Sequence, residues 1–327
     1  VIDLHAHLAP VAALDRFGWL ARAAGGLRAR VGDRWQEIPP ALLDVEMFLA
    51  DAAASRIDAR VASLPPFLLR HDLPAADATD YCRLMNDGLA AAAAASAGRI
   101  HVLAAVPLQD PAAAAREIAR AVEELGCLGA VIATNVAGRF ELDDPSLSPF
   151  WAAAEKFGAL VFIHPHDVAG VNRMRDYHLR NLVGNPLETS LAASRMIFGG
   201  VLDRHPALQV LLAHGGGALP WLTGRLDRGF QVRTECRTTS QTPARWAARF
   251  LYDTVLFDPR AVRMLVDAVG AHRVVLGSDF PFDMGDPDAV GTVERALDDP
   301  QARREVLSGN ADRILAAHVR HAPGADS

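Results

Sequence analysis

Val1-Ile2-Asp3-Leu4-His5-Ala6-His7 alternates apolar and polar residues at the period of a β-strand, but two of its polar positions are imidazoles. Residues i and i+2 of a strand share a face, so His5 and His7 aim the same way and can grip one ion from one side. A fold that gathers strand ends around a common mouth would put such a pair to use.

Working outward, short β-branched runs alternate with Ala/Leu-rich helical segments along the whole chain. Candidate strands cover 1–8, 58–65, 100–107, 129–136, 159–166, 208–216, 254–258 and 273–281. Between them, Asp110-Pro111 opens a helix that closes at Gly126, and Asp258-Pro259 opens one that closes at Gly270. Eight near-continuously apolar strands separated by crossover-length helices predict a parallel sheet. The α/β fold expected is a (β/α)8 TIM barrel. An open doubly wound sheet would want a glycine-rich phosphate loop after an early strand, and neither GxGxxG nor GxxxxGK[ST] occurs.

The 327 residues suit a single barrel domain over 1–327. Residues 9–40, rich in Arg, Gly and Trp and ending in Pro39-Pro40, read as a long insertion after strand one that builds an active-site loop. Residues 168–186 make a similar excursion after strand five, and 321–327 read as a frayed tail. Thirty-three basic against 39 acidic residues leave a net charge of −6 without any dense basic cluster. That balance argues against nucleic acid or an anionic membrane as partner. No apolar run reaches the roughly 18 residues of a membrane span. Cys82, Cys127 and Cys236 lack CxxC spacing, and no signal peptide opens the sequence, so a reducing cytoplasm is the expected location.

A barrel sets its own test, because its catalytic residues stand at the C-terminal ends of different strands. Those ends carry His5 and His7 on strand one, His164 on strand five, His214 on strand six and Asp279 on strand eight. Three imidazoles and a carboxylate make a mixed site for a divalent ion, with nitrogens about 2.0 to 2.1 Å from zinc and room for water. Such an ion lowers the pKa of its water from about 15.7 to about 7. His214, before Gly215-Gly216-Gly217, is then the candidate acid/base. Taken singly, each residue has a plainer role: a packed strand histidine, a surface histidine before Gly or Pro, a helix-capping aspartate. Their joint fall at strand ends favours the metal reading. His166, displaced by Pro165, is a candidate substrate contact, whereas His71, His101, His178, His205, His272, His318 and His321 read as structural or exposed.

The segments DLHAH, FIHPHD, LLAHGGGALP and VLGSDFPF, in this order, resemble the amidohydrolase superfamily. LVGNPLETS, MIFGGVLDRHPALQVLLAHGGG and GNADRIL extend the likeness to its metal-dependent decarboxylase branch, of the aminocarboxymuconate semialdehyde decarboxylase type. The resemblance implies that His5, His7, His164 and Asp279 bind one divalent ion per subunit, zinc first and manganese as the alternative, with no organic cofactor. It makes His214 and Asp279 catalytic. Binuclear members carry a carboxylated lysine on strand four, where this chain has Thr134 and Asn135, so a mononuclear site is implied. It further implies a homodimer in which an arginine after the strand-six helix enters the neighbouring site, a position matched by Arg233. A second family arginine, before strand two, is replaced by Met47 or Phe48, leaving Arg28, Arg30, Arg34 or Arg173 to hold a substrate carboxylate. His166 and Phe282 complete the substrate-binding candidates.

The function expected is therefore non-oxidative decarboxylation of an aromatic, heteroaromatic or muconate-type acid with release of CO2. The alternative is a metal-dependent hydrolase or hydratase of a related lactone, amide or unsaturated acid. A non-catalytic metal module is the third class, and it would close its site rather than leave a position open beside His214.

Overall fold

A computed structural model describes residues 1–23, 26–31 and 34–319. The tail 321–327, with His321, and the side chain of Arg34 lie outside the described residues. Eight strands form one parallel sheet in chain order: β1 (Ile2–His7), β2 (Ala59–Ser63), β3 (Ile100–Ala105), β4 (Gly129–Ala133), β5 (Leu160–His164), β6 (Gln209–Leu212), β7 (Leu251–Asp253) and β8 (Val274–Val275). The last strand returns to the first. Leu4 N donates to Leu276 O at 2.8 Å and His7 N to Phe280 O at 2.7 Å, so the sheet curls nearly closed into the expected barrel.

Alternation along each strand separates two surfaces. In β5, Val161 and Ile163 pack outward with Phe150 and Trp151 of the preceding helix. Leu160 and Phe162 belong to the other core, with Leu4, Leu103 and Val131, and His164 continues their face. Helices begin where the sequence punctuates them, since Asp110 accepts from Ala113 N and Asp258 from Arg260 N. Between β1 and β2 the chain forms a short helix, Val11–Arg16, then a three-stranded antiparallel sheet of Leu20–Ala23, Gly26–Val31 and Arg34–Ile38.

Three strand ends differ from expectation. The seventh strand lies at Leu251–Asp253 rather than 254–258. Thr254-Val255-Leu256-Phe257 is the more β-branched run, but it turns sharply: Leu256 N bonds Thr254 O at 2.7 Å and Asp258 N bonds Leu256 O at 2.7 Å. The sixth strand stops at Leu212, and His214–Gly216 is a tight helical turn. The eighth keeps regular pairing with β7 only over Val274–Val275, and beyond it Leu276, Ser278 and Asp279 bond to β1.

Candidate active site

Asp253, which ends β7, organises the site. Its Oδ2 accepts from His5 Nδ1 at 2.6 Å and from His214 N at 3.0 Å, while Oδ1 accepts from Gly215 N at 2.9 Å and Val255 N at 3.1 Å. A donating Nδ1–H leaves the His5 Nε2 lone pair free. His7 reaches the same state through Ser63: that hydroxyl donates to Ala6 O, so its oxygen accepts from His7 Nδ1 at 3.2 Å. His164 Nδ1 points at Pro165 O, 3.2 Å away. All three rings therefore turn Nε2 inward.

Those three nitrogens and Asp279 offer ligand atoms within 4.8 Å of one another, and all four residues are buried. His5 Nε2 and His7 Nε2 stand 3.2 Å apart, and Asp279 Oδ1 lies 3.3 and 3.2 Å from them. Acceptors converging so closely repel unless a cation sits among them, and His164 Nε2 is buried with no protein partner among the described residues. Without an ion, burial pushes His5 down, but Asp279 and Asp253 outweigh it and hold the ring up at about 10. Burial, with neighbouring imidazoles, keeps His7 lowered and His164 well below the usual range. Burial raises Asp279, yet His5 and the imidazole hydrogen bonds hold its carboxyl well below the ordinary value. One cation, two neutral imidazoles and a carboxylate fit a divalent ion, which takes the place of the His5 proton on binding.

His214 stands on the other side of Asp279, with Nε2 3.6 Å from Oδ2. Both residues adopt positive φ, 56° and 59°, which is a strained region for non-glycine residues. Asp253 holds the His214 turn from below, and the His5 carbonyl accepts from Asp279 N at 2.8 Å. The glycines around them permit the close approach. A Cβ on Gly217 would overlap the Pro186 carbonyl, and one on Gly277 would lie 2.9 Å from His5 Cβ and 3.0 Å from Asp253 Cβ.

A further buried network anchors β1. Asp3 Oδ1 accepts from His5 N at 3.0 Å and Ser278 N at 3.1 Å, and Oδ2 accepts from Arg60 Nε at 3.1 Å and Ser278 Oγ at 2.5 Å. Arg60 also donates to Phe48 O and Asp51, beneath the Phe280 ring at 4.3 Å. Burial still raises the Asp3 carboxyl despite the Arg60 charge.

Two cavities open beside the cluster. One, of about 300 Å³, is walled by His214, Asp279, Leu182, Leu256, Phe257 and Met284. The other, of about 250 Å³, is lined by Phe67, Arg70, His71, His166 and Arg180. Phe282 links the second cavity to the centre, its ring 5.4 Å from His7 and 6.1 Å from Phe67. His166, the candidate substrate contact, lines the second cavity, and His71, expected to be structural or exposed, lines it too. Arg28, Arg30 and Arg173 are exposed and line neither cavity within one chain. Met47 faces solvent, and Phe48 is buried 5.3 Å from the Arg60 guanidinium. Arg233 ends the helix Leu219–Val232 with its side chain 66% exposed, paired to Glu235 at 2.6 Å.

Asp253, Ser63, Asp3, Arg70 and Arg180 escaped the sequence reading. Asp253 alone carried a signal, an acid directly after the apolar run Phe250-Leu251-Tyr252.

The family model described as amidohydrolase matches residues 2–316. The chain belongs to the amidohydrolase family. This amidohydrolase is 34% identical, over an alignment 327 positions long, to 2-amino-3-carboxymuconate-6-semialdehyde decarboxylase of Dictyostelium discoideum, covering 96% of this chain and 91% of that protein. The crystal structure of 5-carboxyvanillate decarboxylase from Sphingomonas paucimobilis superposes with a TM-score of 0.86 at 28% identity, covering 97% and 98% of the two chains. A dihydroxybenzoic acid decarboxylase from Polaromonas, solved with manganese and 2-nitroresorcinol, shares the fold at a TM-score of 0.81 and 24% identity, over 96% of each chain. The amidohydrolase's named relatives are thus decarboxylases of carboxylated aromatic or muconate compounds.

Proposed function

We propose that this amidohydrolase is a single-domain, metal-dependent, non-oxidative decarboxylase of an aromatic, heteroaromatic or muconate-type carboxylic acid. The observation that carries the reading is the buried convergence of His5, His7, His164 and Asp279 with His214 facing the same carboxylate, in a chain similar to decarboxylases along nearly its full length. One divalent ion per subunit fits that set. Zinc suits the three imidazoles, and manganese is the ion in the Polaromonas relative. When bound, the ion supplies positive charge that holds a substrate oxygen and stabilises charge developing beside the scissile bond.

The remaining chemistry belongs to the chain. His5, His7, His164 and Asp279 fix the ion's place, Asp253 orients His5 and the His214 turn, and Phe162, edge-on to His5 at 4.8 Å, forms an apolar floor. His214 delivers a proton to the carbon that bears the carboxylate. The carbon–carboxylate bond then breaks, its electron pair returns to the ring or enol system, and CO2 leaves.

A homodimer is supported by exposed Leu182, Leu187, Leu191 and Trp221 on segments after β5 and β6, near the mouth. Arg233, at the end of the Trp221 helix, remains the proposed arm into the partner's site, and Arg225 lies one turn from Trp221 on the same helix. No described helix is long and apolar enough to cross a membrane. The unpaired Cys82, Cys127 and Cys236 support a cytoplasmic setting.

The test is CO2 release from a panel of ortho-hydroxy aromatic, heteroaromatic and muconate-type acids, using metal-loaded protein. Release abolished in His214→Ala is the expected result. A blank panel alongside turnover of lactones, amides or unsaturated acids transfers the site to hydrolysis or hydration.

A further inference from the structure

A cavity of about 210 Å³ lies at the end of the barrel opposite His214. It is bordered by Gln209 and Leu251, the first residues of β6 and β7, by Arg273 just before β8, and by Asn310 and Arg313 of the helix Asn310–Val319. Arg249, Arg273, Arg313 and His272 line it, and no acidic residue does among the described residues. Among the described residues none of these three arginines forms an ion pair, whereas Arg56, Arg120, Arg195, Arg263 and Arg295 all do.

Among the described residues the three guanidinium groups meet only neutral acceptors. Arg249 Nη2 donates to Pro206 O, Arg273 Nη1 to Arg249 O at 3.3 Å, and Arg313 Nη2 to Asn310 Oδ1. Arg273 Nε is buried with no partner among the described residues. Burial and then the charge of Arg249, with a smaller share from Arg313, hold the Arg273 guanidinium below its ordinary value. Converged like charges and an unmade donor are both unfavourable, and a bound anion relieves both at once.

We infer that this cavity binds a small phosphate-class oxyanion, either inorganic phosphate or a phosphomonoester. Three guanidinium forks approaching from the segments that lead into β7 and β8 and from the last helix match a tetrahedral group with several acceptor oxygens better than a carboxylate with two. The N-terminal face of a barrel serves stability, so the anion would tie together β6, β7 and β8, whose far ends carry His214, Asp253 and Asp279.

Calorimetric titration of metal-loaded protein with inorganic phosphate, at ionic strength fixed with sodium chloride, tests this. The expected result is one saturable site per chain and a Tm that rises with phosphate concentration. Arg273→Met and Arg313→Gln should each weaken phosphate binding by about tenfold or more while metal content stays unchanged. Arg313→Gln guards against a folding defect in the first variant. Tighter binding of glycerol 3-phosphate assigns an ester as occupant and equal binding assigns free phosphate, and the inference stands either way. No saturable heat overturns it. So does binding that survives both arginine variants but vanishes in His164→Ala, which would place the phosphate at the metal centre.

Discussion

Asp253 Oδ2 lies 2.6 Å from Nδ1 of His5, with both side chains wholly buried. Through this contact β7 sets the tautomer of a residue on β1, and the same carboxylate pins the backbone of His214. One acid therefore couples the proposed ligand set to the proposed proton donor. Asp253→Asn keeps the volume and removes the charge, so metal affinity should fall by roughly 10–100-fold. Asp253→Ala also strands the His5 ring and three backbone N–H groups, and should lower stability by roughly 3–5 kcal/mol. Metal titration and urea unfolding separate the two effects.

Metal uptake should depend on pH through His5. Its ring is held at about 10 in the ion-free site, up from 6.5, while His7 and His164 are lowered. Binding between pH 7 and 9 thus releases one proton, and affinity should rise about tenfold per pH unit. A flat profile would contradict the His5 assignment. The sign reverses for stability of the ion-free fold. A raised folded-state pKa stabilises fully below 6.5, and that contribution disappears as pH climbs toward about 10. Thermal unfolding in chelator across this range is the measurement.

Arg60 should matter for stability rather than for metal binding. Arg60→Met leaves Asp3 buried without its cationic partner, so a loss of roughly 3–5 kcal/mol is expected. Metal content per folded chain should remain near that of the parent, as read by elemental analysis after refolding.

Gly277→Ala brings a methyl against His5 and Asp253 together. It should lower metal affinity while leaving secondary structure intact, which circular dichroism and metal titration would show. Parent-like affinity would mean that the β1–β8 seam yields more readily than its packing implies.

Arg233→Ala and Arg225→Ala test the shared site. Mixing either inactive variant with His214→Ala should restore part of the activity if that arginine acts across subunits. Failure of both to complement removes the trans role.

Much of this molecule was readable in one dimension. The strand and helix periods are local, so they announced the barrel, and a barrel sends strand-end polar residues to one mouth. His5 and His7 declared themselves because i and i+2 share a strand face. His164 and Asp279 followed from their places at strand ends.

The supporting contacts were not readable, because they join distant positions. Asp253 is 248 residues from His5, and local β-propensity drew attention instead to Thr254-Val255-Leu256-Phe257, which the chain uses for a turn. Likewise, no spacing shows that Ser63 orients His7 or that Arg70 and Arg180 line a cavity while Arg28 and Arg173 do not. The sequence by itself determined which residues could face one ion, since strand pleat and element order are set by neighbours along the chain. Only the tertiary structure decided which nitrogen each ring presents, which acid holds it and where arginines gather, because those depend on contacts made when the barrel closes.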